Sequence, residues 1–203
     1  MRWAAPGRQR VGVAALPVAI TVAFSVMIAG PAFAADRYIF DSAHCIPSFE
    51  FVHLGVTTQT GRFDKAGGTI VLDFGARKGS VTYEIDTATL NLGFGTETPD
   101  SPGYRLFDVK RYPKISFKST RLTFDKGNKV IAAVGQLTLL GVTRPLTVTV
   151  KRFKCAVNPM NKRNTCAGEV TATVKRSEFG MVAYIPGISD EIKISVPVEA
   201  YQD

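Results

Sequence analysis

The chain has 203 residues, 45% of them hydrophobic and 21% charged, a size and balance that suit one globular domain with its own core. Three cysteines and 10% aromatics exclude a disulfide-dense miniprotein. The net charge of +8 overstates the basicity of the working part: residues 1–34 hold three arginines and no acid, which leaves 22 basic against 17 acidic residues, a net +5. Those charges are scattered along alternating segments rather than gathered into a stripe, so nucleic acid is not the expected partner.

In chain order, Arg2, Arg8 and Arg10 form a basic start, residues 11–30 are an uncharged apolar run, and Pro31-Ala32-Phe33-Ala34 places small residues at −3 and −1 of a cut after Ala34. This is the layout of a secretory signal peptide, with 1–34 removed and 35–203 exported to the periplasm or the outside. The run is long enough to span a bilayer, so an uncleaved anchor is the competing reading. The switch to polar Asp36-Arg37 favours cleavage, and neither a twin-arginine pair nor a lipid-attachment cysteine is present.

Beyond the cut, period-two alternation dominates. Ile70, Leu72 and Phe74 alternate with Thr69, Val71 and Asp73; Val81, Tyr83 and Ile85 with Thr82, Glu84 and Asp86; Ile115 and Phe117 with Ser116 and Lys118. Leu146, Val148 and Val150 alternate with Thr147, Thr149 and Lys151, and Val170, Ala172 and Val174 with Thr171, Thr173 and Lys175. The last run sets Ile192, Ile194, Val196 and Val198 against Lys193, Ser195, Pro197 and Glu199. Each reads as an antiparallel strand with one apolar and one wet face. Gly67-Gly68, residues 125–128, Gly141 and Pro186-Gly187 punctuate them. One short helix is expected around Tyr104 to Lys110, inside the Gly/Pro-rich connection 91–113.

About eight such strands cannot leave an apolar face uncovered, and too little helix exists to cover it. Periodicity alone leaves a sandwich and a closed barrel equally open; closure also removes the edges, and eight strands enclose room for side chains or one small ligand. In an oxidising compartment Cys155 and Cys166, flanking turn residues Asn158-Pro159 and Asn161, are expected to clip a hairpin, a link worth at best about 3 kcal/mol. Cys45 is left over as a small buried hydrophobe. None of the three has zinc-site spacing.

The histidines carry more specific information. The stretch Tyr38-x-x-Asp41-x-x-His44 is followed by Phe49-x-x-x-His53-Leu54-Gly55-Val56 and Gly61-Arg62-Phe63. Tyr112-Pro113-x-Ile115-x-Phe117-Lys118-Ser119-Thr120 comes next, then Gly135-x-Leu137-Thr138-Leu139-x-Gly141-Val142-Thr143-Arg144-Pro145, and finally Arg176-Ser177-x-Phe179-Gly180-Met181. This succession resembles the YceI-like family of exported polyisoprenoid-binding proteins over nearly all of residues 35–203. The resemblance implies a lipocalin-like, eight-stranded antiparallel β-barrel with an elongated apolar lumen. It also implies a long isoprenoid ligand, either a polyprenyl phosphate or a quinone tail, with no further cofactor. A membrane cytochrome follows as a candidate partner; the net positive charge favours transient contact with an anionic membrane surface, and a homodimer is left open. One departure stands out: the family's acidic-x-His-Leu element is replaced by residues 96–108, without the histidine, and Gly93, Gly95 and Gly103 loosen the connection.

Binding of such a ligand is expected to rest on an apolar wall of Phe49, Phe51, Leu72, Phe74, Phe117, Leu137, Leu139, Leu146, Val148, Val170, Ile192 and Ile194. Each buried methylene contributes about 0.8 kcal/mol, against the cost of ordering a flexible tail. His53 shares the parity of Phe49 and Phe51 and is either a satisfied structural histidine or a polar group at one end of the pocket. His44 stands near a strand end, and Arg176-Ser177 either holds an anionic head group or is a turn tied to a carboxylate. No nucleophile elbow or phosphate loop occurs, so a non-catalytic carrier is expected. An enzyme using His53 or His44 as acid/base, and a packed barrel serving as an interaction module, are the alternatives.

Overall fold

The computed structural model describes Met1 and residues 35–93 and 101–203. The expected signal segment, and the part of the connection from Thr96 to Asp100, therefore lie outside the described residues. Among the described residues, eleven antiparallel strand segments form the fold: β1 (Asp36–Phe40), β2 (Ser48–His53), β3 (Thr57–Phe63), β4 (Ala66–Asp73), β5 (Lys78–Asp86), β6 (Leu90–Asn91), β7 (Lys114–Phe124), β8 (Val130–Leu139), β9 (Val142–Val157), β10 (Asn164–Lys175) and β11 (Glu191–Gln202). The order β1-β4-β5-β7-β8-β9-β10-β11 returns to β1, which closes an eight-stranded barrel. The closed solution prevails over the sandwich because every apolar face then looks inward and no long edge is left unpaired.

Three positions of the barrel wall are each built from two segments. The end of β11 pairs with β1, Ala200 opposite Phe40, while its beginning pairs with β2, Ile194 opposite Phe49. Segment β3 runs beside β2, Gly61 opposite Phe49, and continues into β4 beside β1. Segment β6 extends β5 and pairs with β3, Leu90 opposite Phe63. The interruptions at 41–47, 64–65 and 87–89 fall at one level of the barrel. That level separates a base, where β1, β4 and the 157–164 turn lie, from a mouth carrying the 54–56 turn and the loop 176–190.

Local chemistry fixes these breaks. At 87–89 the Asp86 carboxylate accepts from Ala88 N at 3.1 Å, and buried Thr87 donates through Oγ1 to Tyr112 O at 2.8 Å. At 41–47 the amides of His44 and Cys45 donate to Asp41 O at 3.1 and 3.0 Å, while Tyr83 Oη donates to Cys45 O at 2.6 Å. The β8–β9 hairpin turns on Leu140 and Gly141 with φ of 51° and 73°, the two left-handed residues of a type I′ turn. The expected clip is present: Cys155 and Cys166 face each other across β9 and β10 and are joined, with S–S 2.04 Å.

The helix begins and ends earlier than its sequence pattern suggests, as α1 (Pro102–Phe107). Ser101 caps its N-terminus with Pro102 in the first turn, and Asp108 at φ 42° closes it, so the chain has left the helix before Lys110. Pro at the first position costs no hydrogen bond, and a left-handed residue stops the helix at once. No helix among the described residues is long and apolar enough to cross a membrane.

Candidate functional site

The inward faces do not meet. They surround a cavity of about 630 Å³ running from the mouth toward the base, within the range that holds one small-molecule ligand. The reason lies in side-chain length. Apart from Leu146 and Phe153, the wall positions of β9, β10 and β11 are Val148, Val150, Gly168, Val170, Ala172, Val174, Ile192, Ile194, Val196 and Val198. Short and β-branched groups stop well before the barrel axis, so opposite walls leave a hollow.

Twelve of the thirteen residues expected to hold a ligand line this one cavity: Phe49, Phe51, His53, Leu72, Phe117, Leu137, Leu139, Leu146, Val148, Val170, Ile192 and Ile194. Phe74 does not. It has the parity of Leu72, but it lies one tier nearer the base. There it packs edge-on against Phe124 at 6.5 Å, with the Arg77 guanidinium 5.8 Å over the Phe124 ring and donating to Phe124 O and Asp125 O. Alternation assigns the face of a strand and says nothing about depth, and at this depth the barrel is plugged.

The wall also includes residues that periodicity did not single out. Phe63, Leu90 and Leu92 come from strand ends, Leu106 and Phe107 from α1, and Met181, Tyr184 and Ile188 from the loop 176–190. Phe49, Phe63 and Phe107 form an aromatic group, with centroid distances of 5.7, 6.2 and 5.2 Å, and Tyr104 Oη anchors α1 by donating to Ala88 O. Gly61 makes room for that group, because a Cβ there would stand 2.4 Å from Phe49 Cζ. A glycine opposite an inward aromatic was the one available signal.

Polar groups cluster toward the mouth. His53 is exposed at the end of β2 and also lines the cavity, as do Gln59 and Tyr184. Deeper in, the Tyr83 hydroxyl is consumed by Cys45 O, and burial raises its pKa. His44 is elsewhere: it stands exposed outside the cavity, its Nδ1 2.8 Å from Asp41 Oδ2. The hydrogen bond to Asp41 raises the histidine pKa and lowers that of the aspartate. The two histidines are therefore not brought together, and His44 does not face the hollow.

Arg176 is 3% exposed and organises the mouth loop. Nε donates to Ser189 O at 2.9 Å, Nη1 to Met181 O and Ala183 O at 2.7 and 2.9 Å, and Nη2 to Ile188 O at 2.9 Å. Burial lowers its pKa. Asp190 accepts from Ser177 Oγ at 2.7 Å and from Ser177 N at 2.8 Å, which keeps its carboxyl below the usual range. Of the two readings of Arg176-Ser177, the turn tied to a carboxylate is the one realised, through Ser177. The guanidinium engages carbonyl oxygens. No cluster of three metal-binding side chains occurs among the described residues.

A family model for the YceI-like domain matches residues 38–200. A UPF0312 protein of Vibrio cholerae is 29% identical over 189 residues, 91% of this chain and 97% of that one. Among solved structures, BcnA of Burkholderia cenocepacia superposes with a TM-score of 0.60 at 25% identity, over 79% of this chain and 98% of that one. A polyisoprenoid binding domain from Saccharophagus degradans superposes with a TM-score of 0.58 at 16% identity, over 82% and 98%.

Proposed function

The chain belongs to the YceI-like domain family, and on that premise we propose that it is a non-catalytic carrier, working outside the cytoplasm, that holds the chain of a long isoprenoid lipid in the barrel. One observation carries the reading: the inner face of the barrel encloses a continuous apolar hollow instead of a packed core. Carriage needs a dry wall and a shape more than reactive groups. At about 0.8 kcal/mol per methylene, each five-carbon unit gains several kcal/mol gross, most of it offset by ordering the tail.

Polar groups at the mouth and apolar ones below orient such a lipid tail-first, with its head beside His53, Gln59 and Tyr184. A polyisoprenoid is the favoured class because a structural neighbour is a polyisoprenoid binding domain. The disulfide between Cys155 and Cys166 suits an oxidising compartment.

Organic extracts of protein purified from its own host, examined by mass spectrometry, should contain an isoprenoid lipid. Leu139→Lys or Ile194→Lys, each setting a charge on the dry wall, should empty it while circular dichroism still reports the barrel. Lipid-free extracts from the natural chain, or a lysine variant that keeps its lipid, would overturn the reading. His53→Ala should retain much of the ligand.

A further inference from the structure

The turns at the base of the barrel are charged, whereas two segments at its mouth are not. At the base the 73–78 turn holds Asp73, Arg77 and Lys78, the 125–129 turn holds Asp125, Lys126 and Lys129, and the 157–164 turn holds Lys162 and Arg163. At the mouth, residues 51–61 and 179–189 contain no Asp, Glu, Lys or Arg, and the exposed charges of Glu178 and of Arg144, which donates to the Glu178 carbonyl, stand at the edge of the second segment.

Besides His53, Thr57, Thr58 and Thr60, what these mouth segments expose is apolar. Leu54 is 68% exposed, Val56 83%, Val182 61% and Tyr184 60%, with Val52 and Ile185 also exposed. Isolated apolar side chains on a surface need no account, but a contiguous group does. These are contiguous because the segments are bonded together. Leu54 N donates to Gly187 O at 2.6 Å, Ser189 N to Val52 O at 2.9 Å, and Val52 N to Ser189 Oγ at 3.0 Å. Arg176 braces the second segment from beneath through four carbonyls. The platform is thus tied to the inside of the barrel while its apolar tips face out.

The platform also borders the cavity. His53, Tyr184 and Ile188 come from these segments and line the hollow. We propose that residues 52–56 and 182–185 are a docking surface for the interface of a lipid bilayer, through which the cavity is loaded and emptied. The proposal rests on the carrier reading for its purpose, since a long apolar tail moving between bilayer and barrel through this face never crosses water. Apolar side chains with a tyrosine among them suit the headgroup boundary, and the lack of charge makes the attachment hydrophobic rather than electrostatic.

Flotation with phosphatidylcholine vesicles tests it on protein produced from the full chain. The natural protein should float, equally at low and high salt. Leu54→Asp combined with Val182→Asp should cut flotation by about ten-fold or more, because both charges must enter the interface. Neither residue lines the cavity, and Leu54, at φ 52°, sits where aspartate is well tolerated. Met160→Asp, at the exposed base turn, should float like the natural protein. Double-variant flotation at the natural level, an equal loss in the Met160 variant, or binding abolished by salt would overturn the docking surface. Loading separates the two readings. A polyprenol offered in the vesicles should enter the double variant about ten-fold more slowly, while the same polyprenol offered in detergent should fill it to the natural extent. A natural protein that floats but takes up polyprenol by neither route would sink the carrier and leave the docking surface standing.

Discussion

At the base of the barrel, Tyr38 of β1, Phe74 just past the end of β4 and Phe124 of β7 belong to one hydrophobic cluster, with Arg77 and the 155–166 disulfide bracing the strands around them. Higher up, the same inward parity on β10 and β11 carries Val170, Ala172, Ile192 and Ile194, and the barrel is hollow. The hydrogen-bonded ladder is continuous between the two levels. Filled and empty regions therefore do not require different backbones. Side-chain reach decides which one a level of the barrel becomes, and at the mouth the polar bonds of Arg176 add to the packing of Phe179 and Met181 against the upper wall.

The largest effect should come from the guanidinium that ties the mouth loop together. Arg176→Ala leaves the carbonyls of Met181, Ala183, Ile188 and Ser189 without their charged donor. Charge-assisted bonds contribute roughly 1.5–3 kcal/mol each and are not additive, so a loss on the order of 3–5 kcal/mol is expected in urea unfolding. Arg176→Lys should recover little, because one ammonium cannot span a fork of four acceptors. Amide exchange should rise first in residues 181–189, with β9 and β10 still protected near the disulfide. Loss of ligand with unchanged stability and exchange would instead make Arg176 a head-group receptor.

A paired truncation sharpens the contrast further. Tyr38 is buried and off the cavity wall, so Tyr38→Ala opens a new void and should cost about 3–5 kcal/mol. Leu146 lines a hollow that already exists, so Leu146→Ala mostly forfeits the transfer of its own atoms, about 2 kcal/mol. Ligand retention should reverse the ranking, with the Leu146 variant losing more of its lipid than the Tyr38 variant. Equal costs in ligand-free protein would mean that the two levels are packed alike.

The difference between the levels also marks how far the sequence could be read. Alternation gave the inward face of β4, β5, β7, β9, β10 and β11, and with it seven of the twelve expected residues found on the wall; the other five, Phe49, Phe51 and His53 of β2 and Leu137 and Leu139 of β8, stand in the stretches that carry the family resemblance. Parity could not separate Leu72, on the wall, from Phe74, two residues on and inside the plug, because depth depends on register against β1 and β5. The breaks at 41–47, 64–65 and 87–89 leave segments as short as Leu90–Asn91, below the length at which a period shows for Leu90 and Leu92, while Phe63 shares its face of β3 with Gln59 and Gly61, which show no apolar alternation. Arg176 kept two readings because a sequence shows that a guanidinium is present and not that main-chain carbonyls from a folded-back loop surround it.

The smallest expected signal is the most discriminating about the base. Cys45 is free, fully buried, and held in the 41–47 break, where Sγ donates to Glu199 O at 3.1 Å and accepts from Glu199 N at 3.2 Å. Burial pushes its thiol up to about 11, so at pH 8 only about one molecule in a thousand carries the reactive thiolate even before access is considered. Iodoacetamide should leave the native protein unlabelled over hours and label one cysteine in guanidinium, with Cys155 and Cys166 untouched until reduction. If the base opens only when the whole barrel unfolds, the labelling rate at rising urea should follow global stability, whereas amide exchange in residues 182–185 should be nearly independent of it. Rapid labelling without denaturant would show that the break between β1 and β2 opens on its own, and the base would then be no firmer than the mouth.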